Sequence, residues 1–196
     1  LADLIFLKKE DTANWWLGFI PLFALLTAIF KQISIFDISH GFGDFMKLVI
    51  LVSGVLFSLF SITQTTRVRK IGEYHILFGG ILIGALLLAQ STNLLIIYLG
   101  IELMSISAYV LTGFLFSKQS SEASLKYLLF GAVSSAIMLF GISLLYGFTQ
   151  SFDISNYDLL LTANTIGAVP VKLALFMLLF GFLFKMAAAP LHIWSP

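Results

Sequence analysis

The chain has 196 residues, of which 59% are hydrophobic and 11% charged, with a mean hydropathy of +1.01. Soluble domains carry roughly 25% charged residues, so this chain has too few to cover a water-facing surface and reads as an all-α membrane protein, a polytopic helix bundle. The net charge of +1 says nothing about nucleic acid, but no basic cluster resembles a nucleic-acid patch, and the absence of cysteine excludes disulfides, thiolate metal sites and thiol catalysis.

In chain order, the run Leu1–Leu7 reads as the tail of an earlier apolar segment, and a start at Leu rather than Met suggests a piece of a longer protein. Six stretches then approach the about 20 apolar residues that cross roughly 30 Å of hydrocarbon. The first, Asn14–Phe30, opens on Trp15-Trp16, as an interfacial belt does. Phe45–Ile62, Tyr74–Gln90, Asn93–Phe116, Ala123–Gly147 and Ala168–Trp194 follow. All six are expected to be helices of one transmembrane domain, because a backbone in lipid must satisfy its own hydrogen bonds and these runs are too uniformly apolar for barrel strands. Lys8, Lys9, Arg67, Arg69, Lys70 and Lys118 fall on one side of the membrane, which makes that side cytoplasmic. The turn Ser91-Thr92 and Asp37, Asp44, Asp153 and Asp158 fall on the other.

The third span carries Gly80 and Gly84 in a GxxxG pattern, and Gly131, Ser134, Ser135 and Gly141 line the fifth; both patterns read as close helix packing rather than as a gate.

Three charged residues lie inside consecutive spans, where a charge at the helix centre costs at least about 2.5–3.5 kcal/mol. Glu102 lies nine residues past the Ser91-Thr92 turn, roughly 13 Å into the membrane at the helical rise. It is either a proton-relay carboxylate or half of a structural ion pair locking two helices. Lys185 lies five residues before Pro190, whose ring clashes with the carbonyl of Met186. The helix is expected to break just after the lysine, and broken helices at membrane depth line cavities. Snorkelling to the interface is the alternative for this lysine. Lys126 is shallower and stands i,i+4 to Glu122, so a simple helix-face pair competes with a role in ion movement. His192 follows the break and is a candidate proton carrier by residue type, histidine being the side chain suited to proton exchange near physiological pH. Lys172 and His75 read as interfacial residues. No HExxH spacing or phosphate loop occurs, and no metal site is expected.

The run Tyr98-Leu99-Gly100-Ile101-Glu102-Leu103-Met104-Ser105 resembles the glutamate-bearing span of the antiporter-like membrane subunits of respiratory complex I. Ser121-Glu122-Ala123-Ser124-Leu125-Lys126-Tyr127, continued by Gly131-Ala132-Val133-Ser134-Ser135, is similar to their next span. The run Gly181–Pro196, with Lys185-Met186-Ala187-Ala188-Ala189-Pro190-Leu191-His192 at its centre, resembles the broken helix bearing their central lysine. Within the family the wording is nearest the N-type subunits; the L and M types and the Mrp antiporters usually have Leu where this chain has Ser195. The match is strong over 98–147 and 180–196 and weak over 1–75.

The resemblance implies a fold of about fourteen helices with two inverted five-helix repeats and a broken helix. It implies a proton-translocating subunit of a NADH:quinone oxidoreductase in a bacterial inner membrane, embedded in the lipid bilayer beside other membrane-arm subunits of complex I. Glu102 would be the paired carboxylate, Lys185 the central protonatable lysine, and Lys126 a support for the pair or part of an access route. The chain itself would hold no cofactor; flavin, iron–sulfur clusters and quinone would belong to partner subunits. An Mrp-type Na+/H+ antiporter subunit and a scaffold subunit with purely structural ion pairs are the two alternatives.

Overall fold

The computed structural model describes residues 24, 28, 41–64, 71–157 and 169–192. The first expected span, Asn14–Phe30, and the Arg67–Lys70 loop thus lie almost wholly outside the described residues. The described elements are helices α1 (Phe42–Gln64), α2 (Ile71–Gln90), α3 (Leu94–Thr112), α4 (Lys118–Thr149) and α5 (Val169–Lys185), with a short 3-10 turn at Ile154–Tyr157. Among the described residues, four segments are long and apolar enough to cross a membrane: Phe42–Ser61, Gly72–Gln90, Leu94–Thr112 and Lys118–Thr149. The contacts divide into two compact units between Gln90 and Ser91.

In the first unit α1 packs on α2. Phe57 stacks on Phe78 at 4.4 Å between ring centroids and on Tyr74 at 6.5 Å. Leu51, Ser58, Ser61, His75 and Phe78 are buried. The close approach of the two helices shows at Gly43, where a Cβ would meet the carbonyl oxygen of Ala89 at 3.0 Å. His75, read from sequence as interfacial, is only 7% exposed.

In the second unit local sequence sets each boundary. Asn93 caps α3, its side-chain oxygen accepting from the backbone N–H groups of Leu95 at 3.0 Å and Ile96 at 3.3 Å. Ser117 caps α4 in a reciprocal box with Ser120. At 32 residues α4 is the longest described helix, about 48 Å. It ends on Gln150 in the left-handed region, φ 52°. The chain then doubles back: the N–H of Leu94 donates to the carbonyl of Phe152 at 2.7 Å, and that of Ile154 to Thr92 at 3.1 Å. The start of α3 and the end of α4 therefore share one end of the unit, the side to which the charge pattern assigned Ser91-Thr92 and Asp153.

Leu94, Ile101, Met138, Ile142, Leu145 and Ala174 form the core between α3, α4 and α5. The inward face of α4 combines the small and polar Gly131, Ser134, Ser135 and Gly141 with the apolar Met138, Ile142 and Leu145, while Leu125, Leu129, Val133 and Phe140 face outward. An outward face of large apolar side chains is the opposite of what a soluble helix presents. The small residues let backbones meet: a Cβ at Gly141 would stand 2.9 Å from both the Ala174 oxygen and the Leu178 nitrogen of α5.

Helix α5 accommodates Pro170 in its first turn, where no intrahelical N–H is lost, and stops at Lys185 after 17 residues. Its length is about 25 Å, short of a roughly 30 Å hydrocarbon layer. The sixth sequence span, Ala168–Trp194, is thus interrupted at the place the proline predicts. The end has the Schellman pattern: Ala188 N–H donates to Leu183 O at 2.9 Å and Ala187 N–H to Phe184 O at 3.0 Å. Ala187 takes the left-handed position usually held by glycine, at φ 50°, a conformation that costs a Cβ-bearing residue about 1–2 kcal/mol.

Candidate functional site

Helix α3 presents Glu102, Ser105 and Tyr109 at spacings of three and seven residues, which stack on one helix face. Helix α4 faces them with Gly131 and Ser135, and α5 delivers Lys185 at its last residue. The three helices close around one ion pair. Lys185 Nζ stands 3.1 Å from Glu102 Oε1, with side-chain exposures of 12% and 20% respectively.

Two hydroxyls complete the ammonium's surroundings. Nζ donates to Ser105 Oγ at 2.9 Å and to the Tyr109 hydroxyl at 3.1 Å. With Glu102 that makes three oxygen acceptors for the three N–H donors of an ammonium. The Tyr109 ring also lies beneath the charge, 5.6 Å from Nζ to its centroid. On the other side of the pair, Ser135 Oγ donates to the same Oε1 of Glu102. The C-terminal end of α5 adds the negative pole of its helix dipole, which favours a cation at Lys185.

Tyr109 itself is fixed from three directions. It is 4% exposed, its ring meets Tyr127 edge-on at 4.5 Å, and its carbonyl accepts from Ser124 Oγ at 2.7 Å. Its hydroxyl sits over Gly131, where a Cβ would come within 1.9 Å of the oxygen.

Of the residues singled out in the sequence, Glu102 and Lys185 are brought together and Pro190 lies just past the break. Lys126 is outside this cluster: it pairs with Glu122 at 2.6 Å on an exposed face of α4, the helix-face pairing its spacing allowed. His192 is exposed in the turn that follows Pro190, and Lys172 is exposed on α5. Ser105, Tyr109 and Ser135 were not picked out as site residues. The i, i+3, i+7 spacing from Glu102 was the available signal for the first two; Ser135 was read only as part of a packing stripe.

Stacked apolar helices around a largely buried carboxylate–lysine pair at an interrupted helix define a polytopic membrane protein built to hold charge in its interior. Residues 91–196 match the family of NADH:quinone oxidoreductase and Mrp antiporter transmembrane proteins. The chain belongs to that family. It is 37% identical over its whole length to "NADH-quinone oxidoreductase subunit N" of Trichlorobacter lovleyi, covering 42% of that protein. It is 38% identical to "NADH-quinone oxidoreductase subunit N 2" of Chloroherpeton thalassium over 79% of this chain and 31% of that one. The chain thus spans between about a third and two-fifths of the length of the curated relatives it matches. Among solved structures it is similar to a chain of respiratory complex I from Thermus thermophilus, with TM-score 0.72 and 27% identity over 92% of this chain and 40% of that one. It is also similar to a chain of the membrane-bound sulfane sulfur reductase, an archaeal respiratory membrane complex, with TM-score 0.74 and 26% identity over 91% and 40%. The fold is that of the antiporter-like membrane subunits.

Proposed function

We propose that this chain is part of a proton-translocating membrane-arm subunit of a bacterial NADH:quinone oxidoreductase. The observation that carries the reading is the Glu102–Lys185 pair, 3.1 Å apart across two helices, mostly buried, at the end of a helix that stops partway along the apolar run Ala168–Trp194. Burying two charges costs several kcal/mol per ion even after relaxation, which favours a pair retained for use. Lys185 is the group that takes up and releases a proton, and the charge of Glu102 biases when it does so. Lys126 and His192, both exposed, are suited to exchange protons between the buried pair and its surroundings. The redox energy arises in partner subunits. With no cysteine in the chain, iron–sulfur clusters find no thiolate ligands here; on this reading flavin and quinone chemistry belong to the partner subunits. Its setting is the lipid bilayer of the inner membrane, beside other membrane-arm subunits, with the outward apolar faces of α3, α4 and α5 against lipid or those partners.

The family also contains Mrp-type cation/proton antiporters, which share such a description; the subunit N relatives favour the oxidoreductase. The test begins with the full-length protein, extracted in mild detergent and assayed for NADH:quinone reductase activity and bound flavin. Both should copurify with it; a flavin-free assembly that exchanges Na+ for protons after reconstitution would transfer the same residues to an antiporter. Glu102→Gln and Lys185→Ala should each reduce proton uptake into inverted vesicles while the complex assembles. Normal uptake per assembled complex in both would leave the pair structural only.

A further inference from the structure

The Glu102–Lys185 pair, which joins two helices, is looser than the two described pairs formed within a single helix. Lys126–Glu122 and Lys47–Asp44 each close to 2.6 Å, whereas Lys185–Glu102 stands at 3.1 Å. Charge-assisted N–H···O bonds ordinarily settle at about 2.7–2.9 Å, and a drier setting strengthens the attraction. The Lys47–Asp44 pair, with side chains 17% and 24% exposed, is nearly as enclosed and still closes to 2.6 Å, so burial does not account for the longer Lys185–Glu102 distance.

The surroundings supply the reason. Each charge is shared with hydroxyls. Glu102 Oε1 takes the Ser135 hydroxyl as well as the ammonium. Lys185 Nζ is nearest to Ser105 Oγ, at 2.9 Å, and equidistant from Tyr109 and Glu102, both at 3.1 Å. The Ser105 hydroxyl is anchored in turn, donating to the Ile101 carbonyl at 2.7 Å. Tyr109 is held by Tyr127 and by the absence of a side chain at Gly131. The hydroxyls therefore offer each charge a partner that stays with it when the two part.

We propose that Tyr109 is a positioning residue for Lys185, seated in a notch at Gly131, and that its hydroxyl is the substitute partner that lets the ammonium separate from Glu102 without being left bare. This rests on the proton-transfer reading above. The titratable groups in contact with Lys185 Nζ are Glu102 and Tyr109 on α3; Tyr98 lies beside Glu102, Tyr127 on α4 meets the Tyr109 ring, and His192 lies past the break on its own segment. Besides Glu102, Tyr109 is the one of these that touches Nζ, and it does so through a hydroxyl rather than a carboxylate.

Two substitutions in the full-length subunit test the idea, measured as proton uptake per assembled complex in inverted vesicles across a pH series. Tyr109→Phe keeps the ring against Tyr127 and Gly131 and removes only the hydroxyl. An ammonium with one acceptor fewer is harder to keep charged, so the alkaline limb of the uptake profile should move about one pH unit toward acid, a tenfold change in proton affinity. Gly131→Ala touches neither charge but forces the hydroxyl off Nζ, and should shift the limb the same way. A profile unchanged in Tyr109→Phe overturns the proposal, whether or not Gly131→Ala assembles. A shift with Gly131→Ala but not with Tyr109→Phe overturns it too, since the alanine would then act by packing alone. If Glu102→Gln and Lys185→Ala leave uptake normal, the proton-transfer reading itself has failed; if they abolish it while Tyr109→Phe is indistinguishable from wild type, only the role of Tyr109 has.

Discussion

The α1–α2 pair and the α3–α4–α5 cluster both bury polar side chains, and they treat them in opposite ways. Between α1 and α2, the Ser58 hydroxyl and both ring nitrogens of His75 have no hydrogen-bond partner among the described residues. In the other unit, Glu102, Ser105, Tyr109, Ser135 and Lys185 are all joined in one hydrogen-bonded cluster. An unmatched buried polar group costs about 1–3 kcal/mol, and a partly satisfied network is the weaker design. The cluster that carries the charges is therefore the one whose members are joined by hydrogen bonds. Its five members come from three helices, so the network depends on the helices holding their register to a fraction of an ångström.

The largest expected effect tests that dependence. Gly141→Leu would drive a side chain into the α5 backbone at Ala174 and Leu178, while Gly79→Leu, on α2, meets nothing within 4 Å. Overpacking of a filled interface costs about 1–3 kcal/mol or more. We expect Gly141→Leu to abolish accumulation of the assembled complex in membranes and Gly79→Leu to leave it near wild type. Equal losses on a native gel would mean that the helix pair at Gly141 is no more tightly fitted than open surface.

A smaller difference is expected between two serines. Ser135→Ala removes a hydroxyl that donates to Glu102; Ser58→Ala removes one with no described partner. The first should destabilise by about 1–2 kcal/mol and weaken proton uptake. The second should be neutral or slightly stabilising, because an unmatched buried oxygen is taken away. Thermal unfolding of the purified complex ranks the pair, and a Ser58→Ala loss as large as that of Ser135→Ala would show that Ser58 has a partner after all.

How far the sequence could foretell this differs along the chain. Long apolar runs made the helices legible, with shifts of a few residues at their ends where caps such as Asn93 and Ser117 decide. The break after Lys185 was legible because Pro190 acts locally. The meeting of Glu102 with Lys185 was an expectation from family resemblance; nothing in the spacing of residues 83 positions apart could give it. The hydroxyl partners were hidden for another reason. Serine and tyrosine are unremarkable in a membrane helix, and a stripe such as Gly131, Ser134 and Ser135 serves packing and hydrogen bonding at once. Only the third dimension separates the two uses.

Lys126 gives the weakest expected effect and sharpens the comparison from outside the cluster. Its pair with Glu122 is the shorter one, at 2.6 Å, yet both side chains are more than half exposed. Exposed pairs gain little because solvent screens them and ordering two long side chains opposes the attraction. Lys126→Ala is therefore expected to leave assembly and thermal stability unchanged, and to lower proton uptake less than Lys185→Ala does. Distance alone would rank the two lysines the other way round. A Lys126→Ala loss equal to that of Lys185→Ala would mean that Lys126 leaves Glu122 during turnover and enters the buried cluster, making the exposed pair a resting position rather than its working one.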